Sequence, residues 1–94
     1  MYYAYILKSG KDNHLYIGFT TDLKKRLKFH NLGFNKSTAK RKPLNLVYYE
    51  GYISEKDART REIFLKTGRG HEVLHKQLKY TLFNKDHTVA IAQG

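Results

Sequence analysis

The chain has 94 residues, 40% of them hydrophobic, with one proline; that is enough for a single packed domain and unlike the composition of a disordered tail protein. No segment is apolar for long enough to cross a bilayer, so no membrane association is expected, and residues 1–7 lack the basic stretch and small-residue cleavage site of a signal peptide. Cysteine is absent, which excludes disulfides, thiolate metal sites and a cysteine nucleophile and fits a reducing cytoplasm, while 18 Lys+Arg against 8 Asp+Glu give a formal charge of +10 and point to a polyanionic partner.

In chain order, residues 2–7 and 15–19 are aromatic and β-branched runs separated by a turn-forming segment, Lys8-Ser9-Gly10-Lys11-Asp12-Asn13-His14, which predicts a β-hairpin. Symmetric closure sets Tyr5 opposite Tyr16 and Tyr3 opposite Gly18, with Tyr5 and Tyr16 on one face. From Thr21, a candidate cap, with Asp22 in the first turn, a helix is expected up to Gly33. Its Leu23 and Leu27 should face the core, and Arg26 and His30 fall at the margin of that inward stripe. Two polar groups in so costly a position suggest a site.

Residues 34–43 form a loop whose Lys36, Ser37, Thr38, Lys40, Arg41 and Lys42 could track phosphates, although a solvated loop accounts for them almost as well. Basic residues concentrate in this part of the chain: residues 8–42 hold ten of them against two acids, Asp12 and Asp22, so the first half is the expected phosphate-facing half. A third strand follows over residues 46–52. Ser54, capping toward Asp57, starts a second helix on which Ala58, Glu62 and Leu65 share a side. Gly68 and Gly70 then read as breaks before a last helix over residues 72–82. The expected fold is α/β (α+β), a three-stranded antiparallel sheet flanked by helices in the order β-β-α-β-α-α, with one domain over residues 1–83 and a tail over 84–94.

The ordered set Tyr3-Ala4-Tyr5, Tyr16-Ile17-Gly18, Arg26, His30 and Glu62 resembles the GIY-YIG nuclease family along nearly the whole chain. The second half of the family name is present literally, and the first half keeps the tyrosine but not the glycine. The chain looks like the stand-alone, single-domain members similar to the N-terminal domain of an excinuclease subunit, an impression strengthened by the segment from Ala58 to Gly68. The family often carries an asparagine after the glutamate, a place only Asn84 could take.

The resemblance implies a metal-dependent DNA endonuclease, active in DNA repair or processing, with Tyr5, Tyr16, Arg26, His30 and Glu62 as its active site. Glu62 would hold one Mg²⁺ or Mn²⁺ through oxygen, as hard cations prefer. Arg26 would clamp the phosphate in its charged transition state. Tyr5 would act as general base on water, through or beside His30, and Tyr16 would orient water or phosphate. Lys24, Lys25, Lys36, Lys40, Arg41 and Lys42 are the expected DNA contacts. With no second recognition domain, specificity would come from DNA shape or from a protein partner.

Each residue also has an ordinary explanation: cross-strand aromatics for the tyrosines, an ion pair of Glu62 with Arg26 or Arg61, a satisfied cap or core histidine for His30. A binding module that kept the fold without the chemistry is the main alternative. A rival motif, His71-Glu72-Val73-Leu74-His75, matches the zinc-protease pattern, but only Asp86 or His87 could supply the third ligand, so an exposed helix is the better reading.

Overall fold

The computed structural model describes residues 1–82. The elements are β1 (Tyr2–Ser9), β2 (Leu15–Thr20), α1 (Leu23–Asn31), a 3₁₀ turn (Ala39–Arg41), β3 (Leu44–Tyr52), α2 (Glu55–Leu65), α3 (Gly68–Gln77) and α4 (Lys79–Leu82). The expected antiparallel sheet forms with strand order β2-β1-β3, and the α+β architecture follows. The expected tail, with Asn84, Asp86 and His87, lies outside the described residues.

β1 is the central strand, and alternation along it feeds two cores. Tyr5 and Leu7 point to one face and pack with Leu44, Leu23, Leu27, Tyr16 and Leu46 beneath α1. On the other face Ile6 packs with Leu65, Leu74, Leu82 and Ile17, beneath α2, α3 and α4. This double burial explains why β1 reads as a nearly continuous apolar run rather than an alternating one.

The hairpin register differs from symmetric closure by two residues: Tyr5 pairs with Gly18, and Leu7 with Tyr16. The cause is the turn. β1 continues to Ser9, whose N–H donates to the His14 carbonyl at 2.9 Å, and Asn13 takes a left-handed conformation at φ 63°. An even shift preserves side-chain parity, so Tyr5 and Tyr16 still share a face. Asp22, rather than Thr21, caps α1, its carboxylate accepting from the Lys25 N–H at 3.1 Å. Gly33 takes the left-handed position beyond the helix at φ 82°. Ser54 caps α2 toward Asp57 as expected.

The last helix begins four residues before the expected start and is divided in two. Thr67 is its cap, accepting from the Gly70 N–H at 3.0 Å. Gly70 sits inside the first turn of α3 because a Cβ there would collide with the Phe64 carbonyl and the Leu65 backbone. The glycine lets α3 cross the end of α2; it does not break the chain.

A carboxylate on the α2 face fastens sheet to helices. Glu50 accepts from both phenols, Tyr48 at 2.7 Å and Tyr52 at 2.5 Å, and from Arg61 Nε at 3.0 Å and Nη2 at 3.2 Å. Burial alone would raise the Glu50 carboxyl, but the bonds from Arg61, Tyr52 and Tyr48 together hold it below its usual range. Tyr52, half-buried and bonded to that anion, is pushed up to about 12. Both Glu50 oxygens are engaged, and Arg61 is committed to Glu50 rather than to Glu62.

Candidate active site

The Asp22 cap fixes the start of α1, and Leu23 and Leu27 turn the helix toward the sheet. Arg26 and His30, one turn apart, are thereby aimed at the β1–β2 ribbon. Arg26 Nε donates to the Tyr5 hydroxyl at 3.2 Å, and that hydroxyl lies 3.0 Å from His30 Nε2. His30 Nδ1 lies 2.8 Å from Thr38 Oγ1, which reaches the Asn35 carbonyl at 3.5 Å. His30 is only 4% exposed, and burial, with the adjacent Arg26 charge, lowers its pKa and favours the neutral ring.

One assignment of the protons satisfies every group in that network. In it Thr38 Oγ1 donates to the Asn35 carbonyl and accepts from His30 Nδ1–H. Nε2 is then the ring's free lone pair, and it accepts the Tyr5 O–H. The phenol oxygen meanwhile accepts from Arg26. Tyr5 thus has a cation on one side and a ready proton acceptor on the other.

These groups open into a cleft of about 600 Å³ along β2, an edge strand of the sheet. One wall carries Tyr5, Arg26 and His30; the β2 floor carries Tyr16 and Gly18; the opposite wall carries Arg59, Glu62, Lys66 and His71. All five residues expected to form the site therefore line one space. Arg26 and Glu62 do not form the ion pair that the ordinary explanation requires: Arg26 bonds Tyr5, and Glu62 Oε2 is held by Lys66 Nζ at 2.9 Å. His30 is indeed a satisfied buried histidine, and its hydrogen-bond partner faces the cleft.

Among the described residues no three His, Cys, Asp or Glu side chains come together as a metal-binding group, which offers no support to the zinc-protease reading of His71 and His75. Glu62 is the one carboxylate lining the cleft among the described residues. A single hard oxygen donor fits Mg²⁺ or Mn²⁺, which retain several waters and take substrate phosphate as ligands.

The expected DNA contacts Lys24, Lys25, Lys36, Lys40, Arg41 and Lys42 are all exposed, but none lines this cleft. Lys25 borders a smaller hollow of about 200 Å³ that shares Arg26 with it, and Arg41 is paired with Asp12 at 3.2 Å. The cations of the far wall, Arg59 and Lys66, come from the second half, to which charge counting draws no attention. Thr38 reads in the sequence as one hydroxyl in a loop, and nothing in its neighbours marks it as the partner of His30. The i, i+3, i+7 spacing of Arg59, Glu62 and Lys66 is the available signal for the far wall.

The GIY-YIG catalytic domain profile matches residues 1–73. The UPF0213 protein CPE1444 of Clostridium perfringens is 46% identical over 67 residues, covering 70% of this chain and 71% of that protein. UPF0213 protein SH2523 of Staphylococcus haemolyticus is 45% identical over 67 residues, covering 70% and 80%. The solution NMR structure of the UPF0213 protein BH0048 from Bacillus halodurans superposes with a TM-score of 0.52 at 36% identity, over 82% of this chain and 85% of that one. With its fold, cleft and ordered motif residues in agreement, the chain belongs to the GIY-YIG catalytic domain family.

Proposed function

We propose that the protein is a metal-dependent endonuclease that hydrolyses DNA phosphodiester bonds. The observation that carries this reading is the hydrogen-bonded chain Arg26–Tyr5–His30–Thr38 opening into the cleft that Glu62 faces. A binding module has no use for a proton relay, nor for a carboxylate beside a polyanion.

In this reading Tyr5 meets the attacking water, its hydroxyl standing on the cleft wall between the Arg26 guanidinium and His30 Nε2. As water adds to phosphorus, the phenol oxygen takes its proton and the phenol's own proton passes to His30 Nε2. Thr38 keeps the imidazole in the accepting tautomer. Arg26 neutralises charge growing on the phosphoryl oxygens, and Tyr16 orients the phosphate. Glu62 would hold Mg²⁺ or Mn²⁺, which when bound stabilises the transition-state charge and the departing oxygen. The likeness to an excinuclease domain supports a cytoplasmic role in DNA repair or processing, with DNA shape or a protein partner supplying specificity.

The test is a nicking assay with Mg²⁺ or Mn²⁺ on branched, gapped, damaged and single-stranded DNAs. Tyr5→Phe and Arg26→Ala should each lower kcat by roughly 10²–10³ while leaving affinity nearly unchanged. A wild-type protein that binds these DNAs yet cuts none of them would establish the binding module instead.

A further inference from the structure

On the cleft side of α2, three charged side chains stand in a row. Arg59, Glu62 and Lys66 all line the cleft. At about 1.5 Å of rise per residue, Arg59 lies about 4.5 Å and Lys66 about 6 Å along the axis from Glu62. Those intervals are comparable to the separation of neighbouring phosphates on a nucleic acid strand. The carboxylate that would carry the metal is thus flanked by one cation on each side.

The two cations are held differently. The Arg59 guanidinium lies over the Phe19 ring, 4.0 Å from its centroid, and its Nε is bonded to Glu55 at 2.9 Å. Phe19 also lines the cleft, so the guanidinium is supported on an aromatic floor and its remaining N–H groups are free of Glu55. Lys66, by contrast, spends its ammonium on Glu62 itself. Its side chain is 53% exposed against 15% for Glu62, so the flexible cation reaches in from solvent onto a sheltered anion. Both contacts are i, i+4 helix pairs of a kind that contributes little to folding, which leaves the cations available for another use.

From this arrangement we infer that Arg59 and Lys66 bind the phosphates on either side of the scissile one, and that Lys66 is a resident counter-ion that leaves Glu62 for its phosphate when the divalent cation arrives. The inference rests on the metal-dependent nuclease reading of the same cleft. Lys66 and a divalent ion compete for the same oxygen, Oε2. Without the ion, Lys66 neutralises a carboxylate that would otherwise repel DNA. With it, the carboxylate is satisfied and the ammonium is released beside the bound strand. Arg59, held by Phe19 and Glu55 rather than by Glu62, contributes in both states.

Mn²⁺ binding to the DNA-free protein, followed by electron paramagnetic resonance, separates this inference from the reading beneath it. Lys66→Met should bind Mn²⁺ about threefold to tenfold more tightly than wild type, because it loses a competing cation. Glu62→Gln should lose binding altogether. If Glu62→Gln binds Mn²⁺ like wild type, the metal assignment itself fails. If Glu62→Gln loses the ion but Lys66→Met gains nothing, the counter-ion role alone is overturned. Salt-dependent binding of a fluorescent 20-nucleotide oligomer provides the second arm, with Ca²⁺ as the divalent ion. Arg59→Gln should reduce the log–log salt slope by about one with or without Ca²⁺, and Lys66→Met should do so only with it. An equal loss for Lys66→Met in both buffers overturns the exchange, and an unchanged slope for Arg59→Gln removes Arg59 from the phosphate path.

Discussion

The ring of Tyr5 occupies the space above Gly18, its partner across the β1–β2 ribbon: a Cβ on Gly18 would collide with the phenol carbon and hydroxyl. The glycine of the Tyr-Ile-Gly motif is therefore the seat of the tyrosine, and the two motif halves form one packing unit. Gly18→Ala should displace Tyr5 from His30 and Arg26, cost about 1–3 kcal/mol of stability through overpacking, and lower cleavage far more than DNA affinity. Wild-type turnover in Gly18→Ala would show that the Tyr5 position is not critical.

Thr38 supports the imidazole from behind. Thr38→Val retains the shape but leaves the His30 Nδ1–H without an acceptor, a loss of about 1–3 kcal/mol for a buried donor. The lost tautomer preference should also reduce kcat. Thr38→Ser, which retains the oxygen, should restore most of both in thermal melts and in the nicking assay.

The buried His30 makes stability depend on pH. Its folded pKa lies below the unfolded value of 6.5, so the unfolded chain takes up the proton first as pH falls. The stability contributed by the neutral ring is fully present above pH 6.5 and is lost as pH falls from there through the folded value. His30→Gln should flatten that part of a melting-temperature profile. Activity should fall only as pH drops through the lowered folded value, since a protonated Nε2 cannot accept the Tyr5 proton. A wild-type profile level on both counts would contradict a neutral, accepting His30.

Two carboxylates should respond in opposite ways. Glu62→Gln removes only an i, i+4 helix pair whose lysine is solvent-exposed, so stability should change by less than about 1 kcal/mol while cleavage disappears. Glu50→Ala leaves the half-buried Arg61 and two phenols without their acceptor and should cost about 1–3 kcal/mol, with cleavage retained in the folded fraction. Melting temperature and nicking rate measured on both variants check the assignment; a Glu62→Gln protein that melts early would make that residue structural.

Much of this site is legible in the chain because short-range geometry determines it. Tyr5 and Tyr16 share a face whichever even register the hairpin adopts, and Arg26 and His30 share a helix side by spacing alone. Glu62 is fixed between Ala58 and Leu65 for the same reason. The missing parts are those that tertiary contact decides. Thr38 acquires its role because the loop folds back over α1, and Arg59 gains its aromatic floor from a strand some forty residues earlier. Gly70 looks like a break in the sequence because only the packed α2–α3 crossing shows that the position must lack a side chain.

The sheet that divides the two cores also divides the groups to which the proposed reaction assigns roles. Tyr5, Arg26 and His30 are seated on the α1 side, whereas Glu62 stands on a helix packed against the other side, and the two sets meet around the open border of β2. Among the described residues no shared bed of side chains would hold the proposed acid–base groups and metal ligand in common alignment; a seam would. A gap opened beneath α1, as by Leu27→Ala, should therefore misalign proton transfer while Mn²⁺ still binds at Glu62. Retained metal affinity would accompany lost turnover, a separation of functions that an active site built in one core could not show.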